Sequence, residues 1–520
     1  MDQAWFEKMG DLLANFIKQA FMNLKSQPLE MSTGFLLICV VVLAAVYFYV
    51  KQFVLHPLAR YPGPFIGRCT TLYAGYHAWR GTLHTDMYQC HKKYEIYAHK
   101  ANNVKSAVYK CLVHGAPNTL TMRHKEEHSW RRRILSIALS DSKVLSYENV
   151  LKRHIATLCG NLEATAKSKE NADTEGGAID MSRQSDHFTF DIMSEVVFGM
   201  RYNALTETAF RFVTEALVDS NVRISALVQA PILSLGRMDK RLFPTSIKGR
   251  NRFLGFITSL LKNRSKASFS DNGNVFSFLE TAKDPEGGKA LDASQIRAEC
   301  ATLVVAGSDT SSSTLAATLF YLSGNLMAYD RATSEIRGKF KSQDDLCMGP
   351  QLNSCTYLRA CIDEALRMSP PVGGALWREI SPGGMTVDDM VLPAGADVGT
   401  GIYSLHHNPR YHKEPFKYLP ERWIVGEVGS TKETVELARS AFVPFSTGPR
   451  SCVGKGFAYH ELTLSLAHIL YKFDFNRLPN SSRSLSFDAS GPGGKGEFLL
   501  RDHITGSKNS LYLQFRLRCK

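Results

Sequence analysis

Three things are missing from this chain, and each absence narrows what it can be. Its eleven cysteines have no paired spacing and are odd in number. That argues against a disulfide framework and for a reducing compartment. No interior Pro-, Gly- or Ser-rich linker is long enough to divide the 520 residues, although such a length ordinarily means two or three domains. No nucleic-acid motif accompanies the net charge of +13, and the basic residues are dispersed. A solvated basic surface is the plain reading; an acidic protein partner is the sharper one.

The first 65 residues carry the strongest compositional signal. Residues 1–25 place Trp5, Phe6, Met9, Leu12, Leu13, Phe16, Ile17, Ala20, Phe21 and Leu24 at helical spacing, an amphipathic pattern that Pro28 ends. Residues 33–50 carry no charge. As a helix they would be about 27 Å long, enough to cross a bilayer core. A cleaved signal peptide is disfavoured, because the run starts far from Met1, is too long and lacks a clear small-residue cleavage site. Lys18 and Lys25 precede it and Lys51, His56 and Arg60 follow, so charge orients it only weakly. Pro57, Pro62 and Pro64 then stiffen a short strut. The expected divisions are an amphipathic segment at 1–30, a transmembrane helix at 31–52, a proline-rich hinge at 53–64 and a catalytic body at 65–520.

The chemistry centres on Cys452. Around it stand Phe445, Gly448, Arg450, Gly454 and Gly456, and an apolar-periodic helix begins directly after it. A cysteine at a helix start sits at the positive end of the helix dipole, which favours thiolate. Glycines admit backbone N–H groups to the sulfur, and Arg450 can pair with a carboxylate. Such a thiolate suits a soft metal or haem iron. A buried structural cysteine is the plainer alternative, but five signature residues at these offsets outweigh it.

Phe445, Gly448, Arg450, Cys452 and Gly454 resemble the cysteine-loop signature of the cytochrome P-450 haem-thiolate monooxygenases. The resemblance implies a mainly α fold with small β-sheets, preceded by a membrane helix, and haem b ligated by Cys452. It implies electrons from NADPH through a flavoprotein reductase, whose acidic surface would meet Lys455 and its basic neighbours. It also implies a small lipophilic substrate, and a cytosolic catalytic domain on a single-pass endoplasmic reticulum anchor. Several stretches, Phe190 to Gly199 among them, are similar to fungal members, which points to a tailoring step in secondary metabolite biosynthesis.

The same resemblance assigns further residues. After a helical pattern at 73–93 the family has two extended strands. Here Tyr94 passes within ten residues to Val104 through a polar stretch, too short for a full hairpin. The N-terminal sheet is therefore expected to be truncated. His128 and Arg132 share a helix face and would hold a haem propionate, as would Arg378; a solvated basic face is the alternative. Within a long helical pattern at 296–322, Ala306, Gly307, Ser308, Asp309 and Thr310 match the family's distal helix. Asp309 and Thr310 would then relay protons to bound oxygen. Ser and Thr there can bond the carbonyl four residues back. Glu364 and Arg367, with Arg422, resemble a buried triad that holds the cysteine loop and is structural. Residues 203–252 read as an apolar, irregular lid, and 167–177 as a surface loop. Residues 498–504 and 510–518 read as strands joined by a turn at 505–508.

Two other functions stay open at this point. One is an oxygen-independent isomerase or a peroxide-using enzyme, against which the Asp309–Thr310 pair argues. The other is an inactive membrane-anchored homologue lacking the missing strands.

Overall fold

The computed structural model describes residues 33–59, 61, 63–94, 103–113, 115–167, 177–266, 273–387, 390–477 and 496–518. The amphipathic segment at 1–30 and the centre of the loop at 167–177 lie outside them. The chain separates into two compact units between Pro62 and Gly63.

The first unit holds α1 (Thr33–Tyr49), which runs on through a π-helical turn at Val50–Val54. Residues Leu37–Val54 form a span long and apolar enough to cross a membrane, and none of it is buried.

The second unit is helical around one apolar core. Its principal helices are α2 (Leu72–Arg80), α3 (Leu83–Tyr94), α4 (Lys125–Ala138), α5 (Glu148–Lys167), α6 (Met181–Phe198), α7 (Phe212–Gln229), α8 (Pro244–Lys266), α9 (Ala293–Gly324), α10 (Leu326–Lys339), α11 (Thr356–Met368) and α12 (Lys455–Lys472). The helical stretch expected at 73–93 is broken into α2 and α3 by Gly81, whose φ of +72° admits no side chain easily. The lid region is more regular than expected. Apolar residues at helical spacing fold it into α7 and α8, where Leu217, Ile224, Phe253 and Ile257 are buried. Helix α9 starts earlier than its apolar pattern, because Asp292 and Gln295 form a capping box. It crosses the core with Val304, Leu315 and Leu319 buried against α6.

The strands are short: β1 (Asn103–Lys105), β2 (Ala178–Asp180), β3 (Arg378–Ile380), β4 (Met385–Val387), β5 (Met390–Leu392), β6 (Asp397–Val398), β7 (Phe473–Arg477), β8 (Leu500–His503), β9 (Thr505–Lys508) and β10 (Tyr512–Leu517). Among the described residues no strand precedes Asn103; residues 95–102, on which the expected truncation falls, lie outside them. Strand β1 pairs directly with β3, antiparallel, and β6 completes a three-stranded sheet.

The C-terminal hairpin differs from expectation. Residues 505–508 are not a turn but strand β9, paired with β8. The turn is a single residue, Ile504, at φ +72°. Strand β10 pairs instead with β7 and β2. Its alternate residues Leu513 and Phe515 are buried with Phe473 and Phe475, which fixes that register.

Candidate active site

The cysteine loop is shaped by backbone geometry. Gly448 has φ +72° and Ser446 φ +57°, so the chain curls and the Cys452 amide donates to the Phe445 carbonyl at 2.8 Å. The Phe445 ring packs on Tyr459 of α12, with centroids 5.1 Å apart. Gly454 lies beside the sulfur: a Cβ there would meet Cys452 Sγ at 3.9 Å, an ordinary contact.

Cys452 is reachable by solvent yet walled by protein, so it sits in a recess. Burial raises its thiol pKa, while the Gly454 N–H, Arg132 and Lys455 lower it. Burial wins, so the helix start alone does not hold the sulfur ionised; a bound metal cation would.

Around this recess stands a ring of basic groups. Arg132 of α4 donates to the Ser451 carbonyl at 2.6 Å and to Ser451 Oγ at 3.2 Å. Arg450 donates to the Met122 carbonyl at 2.6 Å. Arg378 of β3 donates to the carbonyls of Leu376 and Trp377 at 2.9 and 3.0 Å. Among the described residues none of the three has a carboxylate in ion-pair range. Burial, with Arg378 and Arg132, pushes Arg450 down to about 10. Burial and the cations of Arg450, Arg132, Lys105 and Arg378 push His128 down to about 4, so it stands as a neutral N–H donor.

Lys105 is the member of this ring that sequence reasoning missed. It is buried at the end of β1, its Nζ 4.1 Å above the Tyr109 ring. Burial, Arg378 and Arg450 lower its pKa to about 7. No motif marks it; only the strand register brings it to the site.

On the opposite side, α9 presents a stripe that is not buried although the helix is central. Ala306 is exposed, and Thr302 and Thr310 are partly so, four residues apart in turn. Thr310 Oγ1 donates to the Ala306 carbonyl at 2.8 Å. Asp309 turns elsewhere: its Oδ2 accepts from Asn221 Nδ2 at 3.2 Å and from Thr505 Oγ1 at 3.0 Å. The structure therefore does not join Asp309 directly to Thr310. Burial above all, with Asp186, raises the Asp309 pKa to about 6, against Lys508, Thr505 and Asn221. The segment 117–123 bridges the two sides. Asn118 donates to Thr302 Oγ1 at 2.6 Å, and Glu299 of α9 accepts from the Thr119 amide at 2.7 Å.

Glu364, Arg367 and Arg422 meet in the core. Arg367 Nε and Nη2 each donate to Glu364 at 2.9 Å, and Arg422 Nε donates at 3.0 Å. Trp423 Nε1 and the Leu419 amide add two donors at 3.0 Å, which sequence spacing did not reveal.

The residues fit a haem. An accessible sulfur is a soft axial ligand, and a ring of cations lacking carboxylates is suited to a group that brings two of its own. These features fit the class of haem-binding proteins with a thiolate ligand. The chain belongs to the cytochrome P450 family, whose model matches residues 64–494, and it is a monooxygenase, an oxidoreductase that incorporates molecular oxygen.

It is 65% identical over 374 residues to the cytochrome P450 monooxygenase apf8 of Gibberella fujikuroi, covering 72% of this chain and all of that one. It is 44% identical over 489 residues to the cytochrome P450 monooxygenase poxM of Penicillium oxalicum, covering 90% and 91%. Among solved structures it is similar to the haem domain of cytochrome P450DA, with a TM-score of 0.63, 20% identity, and 80% and 84% coverage.

Proposed function

We propose that this enzyme inserts one oxygen atom from O2 into a small lipophilic substrate, as a tailoring step in fungal secondary metabolism. The observation that carries the reading is the combination at Cys452. An accessible sulfur opens onto a recess ringed by Lys105, His128, Arg132, Arg378 and Arg450, none of them ion-paired with an acid among the described residues. The relatives, from Gibberella fujikuroi and Penicillium oxalicum, support the fungal setting.

When bound, haem b supplies the redox chemistry of oxygen activation. Cys452 would ligate its iron, and the five basic residues would hold its propionates, His128 as a neutral donor. Phe445 fixes the loop through its carbonyl and its packing on Tyr459. Asp309 and Thr310 would deliver protons on the oxygen-binding side. Glu364, Arg367 and Arg422 hold the elements around the cysteine loop and exchange nothing with substrate. The pairing of β1 with β3 brings Lys105 and Arg378 together in the cation ring.

Electrons would come from NADPH through a membrane-bound flavoprotein reductase. Exposed Lys455 lies beside the cysteine and offers a charge for the reductase's acidic surface. The unburied apolar helix at Leu37–Val54 supports a single-pass anchor, with the endoplasmic reticulum as its membrane and the catalytic unit in the cytosol.

The test is the carbon monoxide difference spectrum of the haem-loaded protein. The wild type gives the thiolate-type band, and Cys452→Ser abolishes it. Survival of that band in the variant would reassign the ligand.

A further inference from the structure

The carboxylate of Asp309 is held in a closed triangle. Asn221 Nδ2, from α7, donates both to Asp309 Oδ2 at 3.2 Å and to Thr505 Oγ1 at 3.0 Å. Thr505, the first residue of β9, donates to the same Asp309 oxygen at 3.0 Å. Three elements far apart in sequence thus meet on one carboxylate. We propose that Asn221 and Thr505 are positioning residues for proton delivery: they clamp Asp309 to α7 and to the C-terminal hairpin, and so set where the acid rests. The proposal rests on the reading of Asp309 as the proton-delivering acid.

Three observations support the clamp. The first is the choice of donors. A cation bonded to Asp309 would hold it ionised. An amide and a hydroxyl stabilise the charge less, so burial prevails and the carboxyl can regain a proton near neutral pH. The charged groups acting on it are Asp186 of α6 and Lys508 of β9. They are ion-paired with each other, and Ser312 bonds both, so their effects on Asp309 oppose.

The second observation is the strain beside Thr505. Ile504 is β-branched and sits at φ +72°, a conformation such residues rarely adopt. It persists because both neighbours are pinned. His503 Nδ1 lies 3.1 Å from the Ala78 carbonyl and 3.5 Å from Ser225 Oγ, and Thr505 is held by the triangle. Asn221 and Ser225 are four residues apart on α7, hence on one face. Two side chains of that face therefore fasten the hairpin tip.

The third is what the clamp leaves undone. Thr310 Oγ1 bonds the Ala306 carbonyl instead, so Asp309 must leave the clamp, or work through water, to pass its proton toward Thr310. Each oxygen insertion releases one water and consumes two protons; for each proton that Asp309 gives up it takes one from solvent. Asn221 and Thr505 exchange none.

The experiment compares wild type, Asp309→Asn, Asn221→Ala, Thr505→Val and Thr505→Ser as full-length, haem-loaded protein, each first checked for an unaltered carbon monoxide band. The infrared band of the protonated carboxyl is titrated with pH, and peroxide release per NADPH is measured with a flavoprotein reductase in phospholipid vesicles. Asp309→Asn should remove the titrating band and raise peroxide release. Asn221→Ala and Thr505→Val each take a donor from the charged form. Their midpoints should rise by about one pH unit, with peroxide release about twofold higher, and Thr505→Ser should restore both. Midpoints and peroxide release unmoved in both clamp variants would overturn the clamp while leaving Asp309 as the acid. Unchanged peroxide release in Asp309→Asn would remove the acid, and the clamp with it.

Discussion

Lys105 and Arg378 stand directly opposite each other across the antiparallel pair of β1 and β3. Like charges in that position destabilise a sheet, and burial removes the water that would screen them. The pairing makes sense once an anion lies between. Lys105→Met should therefore have opposite effects on two states. Haem-free protein should become more stable, because a buried cation is gone. Haem-loaded protein should lose its cofactor faster, measured by transfer to an acceptor globin.

The pH dependence has a definite sign. The folded pKa of Lys105, about 7, lies below its ordinary 10.5. The folded state therefore binds fewer protons than the unfolded one between those values. Haem-free wild type should gain stability there as pH rises, and the variant should not show that gain. Identical pH profiles would contradict the buried-charge account.

Glu364 accepts hydrogen bonds from Arg367, Arg422, Trp423 and the Leu419 amide, and neither it nor Arg367 has any accessible surface. Removing the acid strands a buried guanidinium. Glu364→Ala should cost about 3–5 kcal/mol, read as a lower denaturation midpoint together with poor haem incorporation. Replacing Glu364 by Gln keeps two acceptor–donor contacts and should cost less. Equal losses would mean that charge, not shape, matters at this position.

What the sequence made legible follows from how local each signal is. The Cys452 loop could be read because ligation, glycine contact and Arg450 all fall within ten residues. Glu364 and Arg367 could be read from i, i+3 spacing. Lys105 could not: it follows a polar stretch, and its meaning is set by register with β3, far along the chain. The hairpin at 500–508 departs from its sequence signal for a physical reason. Thr505, Gly506 and Ser507 look like turn formers, whereas the turn falls on Ile504, a residue type that propensity excludes from positive φ. The clamp on Asp309 was likewise invisible, since α7 and β9 contribute one residue each.

Glu461 of α12 is a fully buried carboxyl with no charged partner among the described residues, facing Ser311 of α9. Burial pushes its pKa up to about 8, and Ser311 of α9 opposes this only in part. The group is therefore neutral in the folded protein at pH 7. A raised folded pKa means that its contribution is fully present below about 4.5 and is lost as pH rises through about 8. At pH 7 the loss is roughly 3 kcal/mol, at about 1.4 kcal/mol per pH unit. Glu461→Gln should remove that slope. Its stability relative to wild type should climb steadily between pH 5 and 8 in denaturant titrations. A difference independent of pH would show that the carboxyl titrates normally.

Gly75 of α2 packs against Ala230 at the end of α7: a Cβ added at Gly75 would lie 2.7 Å from the Ala230 Cβ. Neither atom has a rotamer to escape through, so one helix would have to move. In isolation Gly75→Ala should stabilise a helix interior by about 1 kcal/mol. Here the clash should reverse the sign, with a net cost of about 1–3 kcal/mol. Ala230→Gly removes the opposing methyl and, in the double variant, should return most of that stability. The interaction term of the cycle therefore carries the evidence, since simple additivity would mean that the two helices do not touch there. The same shift should also reach the oxygen side, because α7 carries Asn221 and its Ser225 donates to the Ala78 carbonyl of α2 at 3.2 Å. Gly75→Ala should thus raise peroxide release as well as lower stability, and the compensating Ala230→Gly should reverse both together.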